Sequence, residues 1–193
     1  MNSPRHAVAM EAARIVCQEL VTDYGQAKKK AAQRLGLGSR AAMPENAQIH
    51  AAIVDYQRLF GGAGYLAHLQ RMRLTAVKMM QWLADFSPRL VGGAVSGAVT
   101  QAHHVQLHLF ADKPEMLDIF LHDHGVRFSQ QERNYRYPDG AEKQIPLACF
   151  EVNGIGVDVA VFPEGEMKRP PVNPADGLPY KRLNPGEAEK LGA

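Results

Sequence analysis

A glycine-interrupted segment in the middle of the chain constrains the fold more than any other stretch. It runs from Arg89 to Asp112 and reads RLVGGAVSGAVTQAHHVQLHLFAD. A short apolar run is followed by the pair Gly92-Gly93, and an alternating strand emerges from His104 to Phe110. Glycines after a strand let the backbone turn sharply and approach a ligand closely, typically a phosphate. The segment therefore predicts two strands joined by a turn that is suited to a binding site.

The second of these strands has two different faces. Side chains alternate along a strand, so that one face here is polar and the other apolar. The polar set is His104, Gln106 and His108, and the apolar set is Val105, Leu107 and Leu109. We expect the apolar face to join the core and the polar face to lie open beside the glycine turn.

Composition places the chain among ordinary globular proteins. Of its 193 residues, 46% are hydrophobic and 22% are charged, and the net charge is +2. This length fits one domain with an appendage or two small domains. So weak a charge does not by itself argue for nucleic acid, and we do not expect nucleic acid as a partner. Because no apolar run reaches the roughly 20 residues of a membrane span, we expect no membrane partner. We expect a cytoplasmic, bacterial protein whose Cys17 and Cys149 are reduced thiols.

The first region, residues 1–86, has helical periodicity. Four helices are predicted there, at His6–Val21, Tyr24–Leu35, Pro44–Phe60 and Tyr65–Phe86. Asp23 is a natural N-cap for the second helix, and a group of glycines that begins at Gly61 separates the third helix from the fourth. The second helix carries a basic run from Lys28 to Arg34, which is either a solvated face or a patch for an acidic partner. These N-terminal helices are the expected surface for a protein partner.

Short strands replace helices in the second region, residues 87–163. Beyond the glycine segment we predict a helix over Lys113–His124, a strand that starts at Val126, and a hairpin of Ile145–Val152 with Ile155–Phe162. Asn153-Gly154 is a strong signal for the hairpin turn. Residues 164–193 are rich in proline and form an extended C-terminal tail that either wraps the domain or stays loose. The order of elements predicts an α+β fold, with a helical N-terminal part followed by a small mixed β-sheet domain with flanking helices.

The glycine segment resembles the active-site motif of the nucleotidyltransferase superfamily, which includes DNA polymerase beta, poly(A) polymerase and small bacterial nucleotidyltransferases. The family pattern is an apolar strand, a Gly-Gly or Gly-Ser pair, a later glycine, and a strand carrying acid, apolar residue, acid. A third acid lies on a later strand. Gly92-Gly93 and Gly97 match the glycines, His104 and Gln106 stand at the first two acid positions, and Asp158 matches the third. The resemblance covers roughly residues 83–162 and implies a sheet of the nucleotidyltransferase type.

The resemblance also implies a site, from which this sequence departs. In the family the acids hold divalent metal ions that align and neutralise a nucleoside triphosphate. His104 and Gln106 are poor ligands for Mg²⁺, which prefers carboxylate oxygens, and only Asp158 keeps a carboxylate. Asp158 is the candidate catalytic residue, and His104, His108 and Asp158 are the candidate metal ligands, for Mg²⁺ or for Zn²⁺. The alternative is that these are polar side chains exposed on an open sheet.

Backbone N–H groups beside the glycines are the candidate phosphate contacts. The nucleotide-binding set is Gly92, Gly93, Ser96 and Gly97, and the alternative is a tight structural turn without a ligand. Further along the chain, Arg133 and other basic residues alternate with Tyr135 and Tyr137. This pattern suits a nucleotide, and it equally suits an edge strand protected by charge.

Three functions remain open on the sequence. The leading hypothesis is a nucleotidyltransferase-fold protein that has lost its catalytic acids and works as a nucleotide-binding or interaction module. The second is an active nucleotidyltransferase with a non-standard metal site on Asp158, assisted by His104 or His108. The third is an adaptor that grips a protein partner with its N-terminal helices and has no nucleotide ligand.

Overall fold

A computed structural model describes residues 3–38 and 43–192, which form an α+β fold. Helices make up the N-terminal part and a five-stranded mixed sheet follows, so the predicted fold class is confirmed at this level. The chain divides into two compact units. The helical unit contains the chain up to Leu69, Ser96–His103 and Pro174–Gly177. The sheet unit contains Gln70–Val95, His104–Asn173 and the chain from Leu178 onward.

The helical unit is built from amphipathic helices around a shared apolar core. The helices at this end of the chain are α1 (Pro4–Glu19), α2 (Tyr24–Arg34), α3 (Asn46–Phe60) and α4 (Gly62–Trp82), and α4 belongs to this unit only up to Leu69. Asp23 caps α2 as predicted, because its Oδ1 accepts a hydrogen bond from the Gln26 N–H at 2.6 Å. Ile15 on α1 and Ile53 on α3 are fully buried in the core, as their helical spacing predicts.

The fourth helix differs from its predicted bounds at both ends. α4 begins at Gly62 rather than Tyr65, because Gly61 alone separates it from α3. The α-helix stops at Trp82, and Ala84–Phe86 continues as one turn of 3₁₀ helix. Neither α4 nor any other helix in the described part of the chain is both long and apolar enough to cross a membrane.

The remaining elements build the sheet and its flanking helices. They are β1 (Arg89–Val91), α5 (Gly93–Ser96), β2 (Val105–Phe110), α6 (Glu115–Asp123), β3 (Ser129–Arg136), β4 (Glu142–Val152), β5 (Ile155–Phe162) and α7 (Pro185–Gly192). The strands lie in the order β1-β2-β5-β4-β3. β2 and β5 run parallel, and the other neighbouring pairs run antiparallel. This topology pairs Gln106 on β2 with Asp158 on β5.

The hairpin between β4 and β5 is confirmed, whereas the start of β3 is corrected. Asn153 and Gly154 both have positive φ angles, 51° and 76°, as a two-residue turn of type I′ requires. β3 begins at Ser129 and not at Val126. The Val126 N–H donates to the Leu121 carbonyl at 2.9 Å, which closes the end of α6 and holds this residue out of the sheet.

The polar face of β2 is covered at the end that carries His108 but not beside His104, whose side chain is 47% exposed, so the prediction of an open face is wrong only for the His108 end. His108 is 1% exposed and packs edge-on against Tyr135 in a core on that face. Tyr180 from the C-terminal segment belongs to the same core. Further along, Leu183 exchanges two backbone hydrogen bonds of 2.9 Å with Leu90 on β1. The C-terminal segment therefore wraps the sheet and supplies the apolar cover that β2 alone does not predict.

Candidate functional site

Asp158 is the centre of a polar cluster on β5. Its Oδ1 accepts a hydrogen bond from His104 Nδ1 at 2.8 Å, and its Oδ2 accepts one from Arg133 Nη2 at 3.3 Å. The Asp158 side chain is only 12% exposed, whereas those of His104 and Arg133 are 47% and 35% exposed. The cluster thus presents two nitrogen-bearing side chains to solvent above a largely buried acid.

The strand order brings these residues together. His104 immediately precedes β2, and β5 lies between β2 and β4, so that Asp158 is next to the start of β2. A Cβ atom on Gly156 would lie only 2.3–2.6 Å from three atoms of the His104 ring. Since any side chain at this position would meet the imidazole, the glycine allows the ring to lie across the β5 backbone and reach Asp158.

The hydrogen bond to Asp158 orients the His104 imidazole. A carboxylate can only accept, so Nδ1 carries the proton and Nε2 holds the lone pair when the ring is neutral. An imidazole held in this way can accept a proton at Nε2, and once protonated it can donate from Nε2 to an anion. The pair is therefore equipped for proton transfer or for anion binding.

Cys149 also contacts the Asp158 carboxylate. It is the register partner of Asp158 on β4 and donates its S–H to the carboxylate. Burial raises the pKa of the Cys149 thiol to about 11, and the neighbouring negative charge acts in the same direction. The thiol therefore remains protonated near neutral pH, which makes it a hydrogen-bond donor and a poor nucleophile.

The predicted glycine turns are confirmed at Gly92 and Gly97, and both of these glycines also have a packing role. Gly92 and Gly97 have φ angles of 74° and 86°. A Cβ on Gly92 would lie 2.3 Å from Gln106 Oε1, and the Gly97 carbonyl accepts a hydrogen bond of 2.8 Å from the Tyr65 hydroxyl. The Ser96 hydroxyl accepts from the Ala98 N–H at 3.2 Å. Phosphate binding by this set, which also includes Gly93, stays a prediction.

His108 lies apart from His104 and Asp158. It is four residues along the strand from His104, about 13 Å at the usual strand rise, and its Nδ1 accepts a hydrogen bond of 3.1 Å from Arg182 Nε. Burial, followed by the charges of Arg182 and Arg133, holds the pKa of the His108 imidazole well below its ordinary value. The three predicted metal ligands are therefore not assembled as one set.

Sequence reasoning missed several residues that shape the site. Arg133 stood out only as one of several basic residues. Nothing in the sequence around Gly156 or Arg182 indicates that these residues shape a site. Tyr135 and Tyr137 looked suited to stacking on a nucleotide, but they are 3% and 1% exposed and belong to the core. Arg136 lies exposed on the opposite face of β3, whereas Arg133 shares the face of Tyr135 and reaches Asp158, so the pattern of basic residues does not reveal which face is covered.

The described residues do not fit a Mg²⁺ ion of the family type. Among His104, Gln106 and Asp158, only Asp158 offers carboxylate oxygens, and both of these accept hydrogen bonds from protein side chains. Within residues 3–38 and 43–192, no set of three His, Cys, Asp or Glu side chains is placed to hold one metal ion. The donor chemistry of the cluster suits an anion better than a cation.

Comparison of the chain with known protein families, with curated proteins and with solved structures finds no match.

Proposed function

We propose that the chain is a nucleotidyltransferase-fold protein that has lost its catalytic acids and binds a nucleotide through its phosphate groups without a divalent metal ion. The observation that carries this proposal is the pairing of Asp158 with His104 and Arg133. Where the family has acids that hold metal ions, this chain has nitrogen donors beside its one remaining acid. Such donors can neutralise a phosphate directly.

The geometry of the cluster supports a role in anion binding. Asp158 engages one nitrogen of His104 and one of Arg133, and both side chains remain more than a third exposed. The guanidinium has five N–H donors, so donors remain for the oxygens of a phosphate. Asp158 acts as the residue that positions both donors, because its own charge would repel the ligand.

Calorimetric titration with ATP, CTP, GTP and UTP, each with and without Mg²⁺, Mn²⁺ or Zn²⁺, tests the proposal. We expect binding of at least one nucleotide without metal, and affinity at least tenfold weaker in Arg133→Gln, about 1.4 kcal/mol. Arg136→Gln is the matched control, since it removes the same charge from the opposite face of β3. Equal loss in both variants, or no nucleotide binding at all, would contradict the proposal; the latter would favour an adaptor.

The oriented His104 imidazole supports a second candidate, an active nucleotidyltransferase in which His104 is the general base. A carboxylate bound to Nδ1 leaves Nε2 as the basic nitrogen, as proton transfer from an attacking hydroxyl requires. This candidate predicts that the wild type transfers a labelled nucleotide to an acceptor and that the transfer is lost in Asp158→Asn. Metal-independent binding without transfer would exclude it and retain the first proposal.

A further inference from the structure

A cavity of about 420 Å³ lies within the helical unit. It is lined by the end of α1, by α3, by the start of α4 and by residues 99–101. None of the residues that line it is Asp, Glu, Lys or Arg. This size and uncharged lining are typical of a site for a small molecule rather than for a phosphate.

The walls of the cavity are held in place by hydrogen bonds. The Gln57 side chain, 8% exposed, donates to the Val99 carbonyl at 2.8 Å. The Tyr65 hydroxyl donates to the Gly97 carbonyl at 2.8 Å. Because these polar side chains are already tied to the backbone, the aromatic rings beside them are preorganised and need little rearrangement to bind a ligand.

Two exposed apolar side chains also line the cavity. Phe60 is 68% exposed and stacks at a tilt on Tyr56, with 4.9 Å between the ring centroids. Leu20, which follows α1, is 48% exposed and has a φ of 57°, a left-handed conformation that normally favours glycine. Leu20 is the C-cap of α1, where a left-handed residue is common, and its exposed side chain lies at the rim of the cavity, where a bound apolar molecule would cover it.

His68 provides a hydrogen-bond acceptor at the cavity. Its Nε2 lies 3.1 Å from the Thr100 carbonyl, and since a carbonyl only accepts, Nε2 carries the proton. The other ring nitrogen, Nδ1, is then an acceptor, and it is shielded from solvent and has no hydrogen-bond partner within the described residues. An N–H donor on a bound molecule would satisfy this nitrogen once the side chains that cover it move aside, and the pairing would recover the free energy that a buried unpaired acceptor costs.

We propose that this cavity binds a neutral, planar aromatic molecule with an N–H donor, about the size of indole or somewhat larger. The aromatic rings and Leu20 would contact the planar apolar part of this ligand, and His68 would accept a hydrogen bond from its N–H group. Because the lining carries no charged residue, we expect the ligand to be neutral. The site lies within the helical unit, so the inference does not rest on nucleotide binding at Asp158.

Calorimetric titration of the full chain with three probes tests the ligand chemistry. We expect indole to bind, and we expect at least tenfold weaker binding of 1-methylindole, which lacks the N–H, and of indole-3-acetate, which is charged. No binding of indole at millimolar concentration would overturn the site. Equal binding of all three probes would overturn the proposed chemistry.

A substitution at Gly64 tests the location. Gly64 lines the cavity, and a Cβ there would meet nothing within 4 Å, so Gly64→Phe adds bulk at the site without a steric conflict with the fold. We expect indole binding to be lost in Gly64→Phe and retained in Gly64→Ala, the matched control, with equal helix content by circular dichroism. Retained binding in Gly64→Phe would overturn the assignment. Retained indole binding in Arg133→Gln would separate this site from the nucleotide site, and its loss there would contradict two independent sites.

Discussion

The absence of a side chain at Gly156 decides where the His104 ring lies. The imidazole occupies the space that a Cβ at this position would take, and from there Nδ1 reaches Asp158. A glycine in a strand normally weakens it, so its position next to a polar cluster points to close packing of another group. The position of the His104 ring therefore depends on the absence of a single methyl group at Gly156.

We expect Gly156→Ala to displace the His104 ring and break its hydrogen bond to Asp158. The variant should be about 1 kcal/mol less stable than Gly165→Ala, measured by urea denaturation, because a typical hydrogen bond contributes about that much. Gly165 is a suitable control, since a Cβ there meets nothing within 4 Å. Equal stability of the two variants would show that the ring is not held across the β5 backbone.

The buried His108 predicts a pH dependence of stability. Burial and the neighbouring Arg182 lower its pKa in the folded state, whereas an unfolded histidine has a pKa of about 6.5. Below that pH the unfolded chain takes up a proton that the folded chain excludes. The titration of His108 therefore destabilises the folded state as pH falls below this value, by at most about 1.4 kcal/mol per pH unit, and has no effect on stability well above it.

Urea denaturation of the wild type and His108→Gln between pH 8 and pH 5 measures this effect. At pH 8 the imidazole is neutral in both states, so the difference there reports packing and hydrogen bonding alone. We expect the free energy of unfolding to fall less steeply with decreasing pH in His108→Gln. Parallel curves for the two proteins would show that His108 does not remain neutral in the folded state.

Among the elements, α2 begins where its sequence predicts, because its first turn is specified locally. The Asp23 carboxylate accepts from the Gln26 N–H and satisfies a donor that has no partner inside the helix. β2 shows the limit of such reasoning. Its alternation correctly predicts a strand, but it does not reveal that a segment some 70 residues later covers the His108 end of its polar face.

We expect Asp23→Ala to lower the free energy of unfolding by about 1 kcal/mol, the usual contribution of an N-cap. The control is Asp55→Ala within α3, where the exposed carboxylate pairs with Arg58 at 3.5 Å and should contribute at most about 0.5 kcal/mol. Both variants are compared with the wild type by urea denaturation. A larger loss in the control than in Asp23→Ala would contradict the role of the cap.

At the scale of the whole molecule, Arg182 fastens the C-terminal segment onto the sheet unit. Its Nε donates to His108, and its Nη1 donates to the carbonyls of Glu166 and Met167 at 2.7 and 3.2 Å. The guanidinium lies 4.9 Å from the ring centroid of Phe162. Burial lowers the pKa of Arg182 to about 10, and the side chain remains a cation at neutral pH. One side chain thus links the segment after β5 to the central strands.

We expect Arg182→Met to keep the apolar packing but lose these hydrogen bonds, at a cost of about 2–3 kcal/mol. Amide hydrogen exchange should increase across residues 163–184, because the segment loses its link to the sheet. Lys181→Met is the matched control, since it places the same side chain at the exposed neighbouring position. Unchanged exchange in Arg182→Met would show that other contacts hold the segment.

The sequence by itself determined the features that depend on neighbours along the chain. These are the periodicity of the helices, the cap at Asp23, the turns at Gly92 and Asn153-Gly154, and the alternation in β2, since hydrogen bonds and turn geometry within a few residues specify each of them. Only the tertiary structure decided that His104 meets Asp158 and that Arg182 reaches His108. Those contacts join residues 54 and 74 positions apart. They depend on the strand order and on the path of the C-terminal segment, which the packing of the whole sheet unit selects.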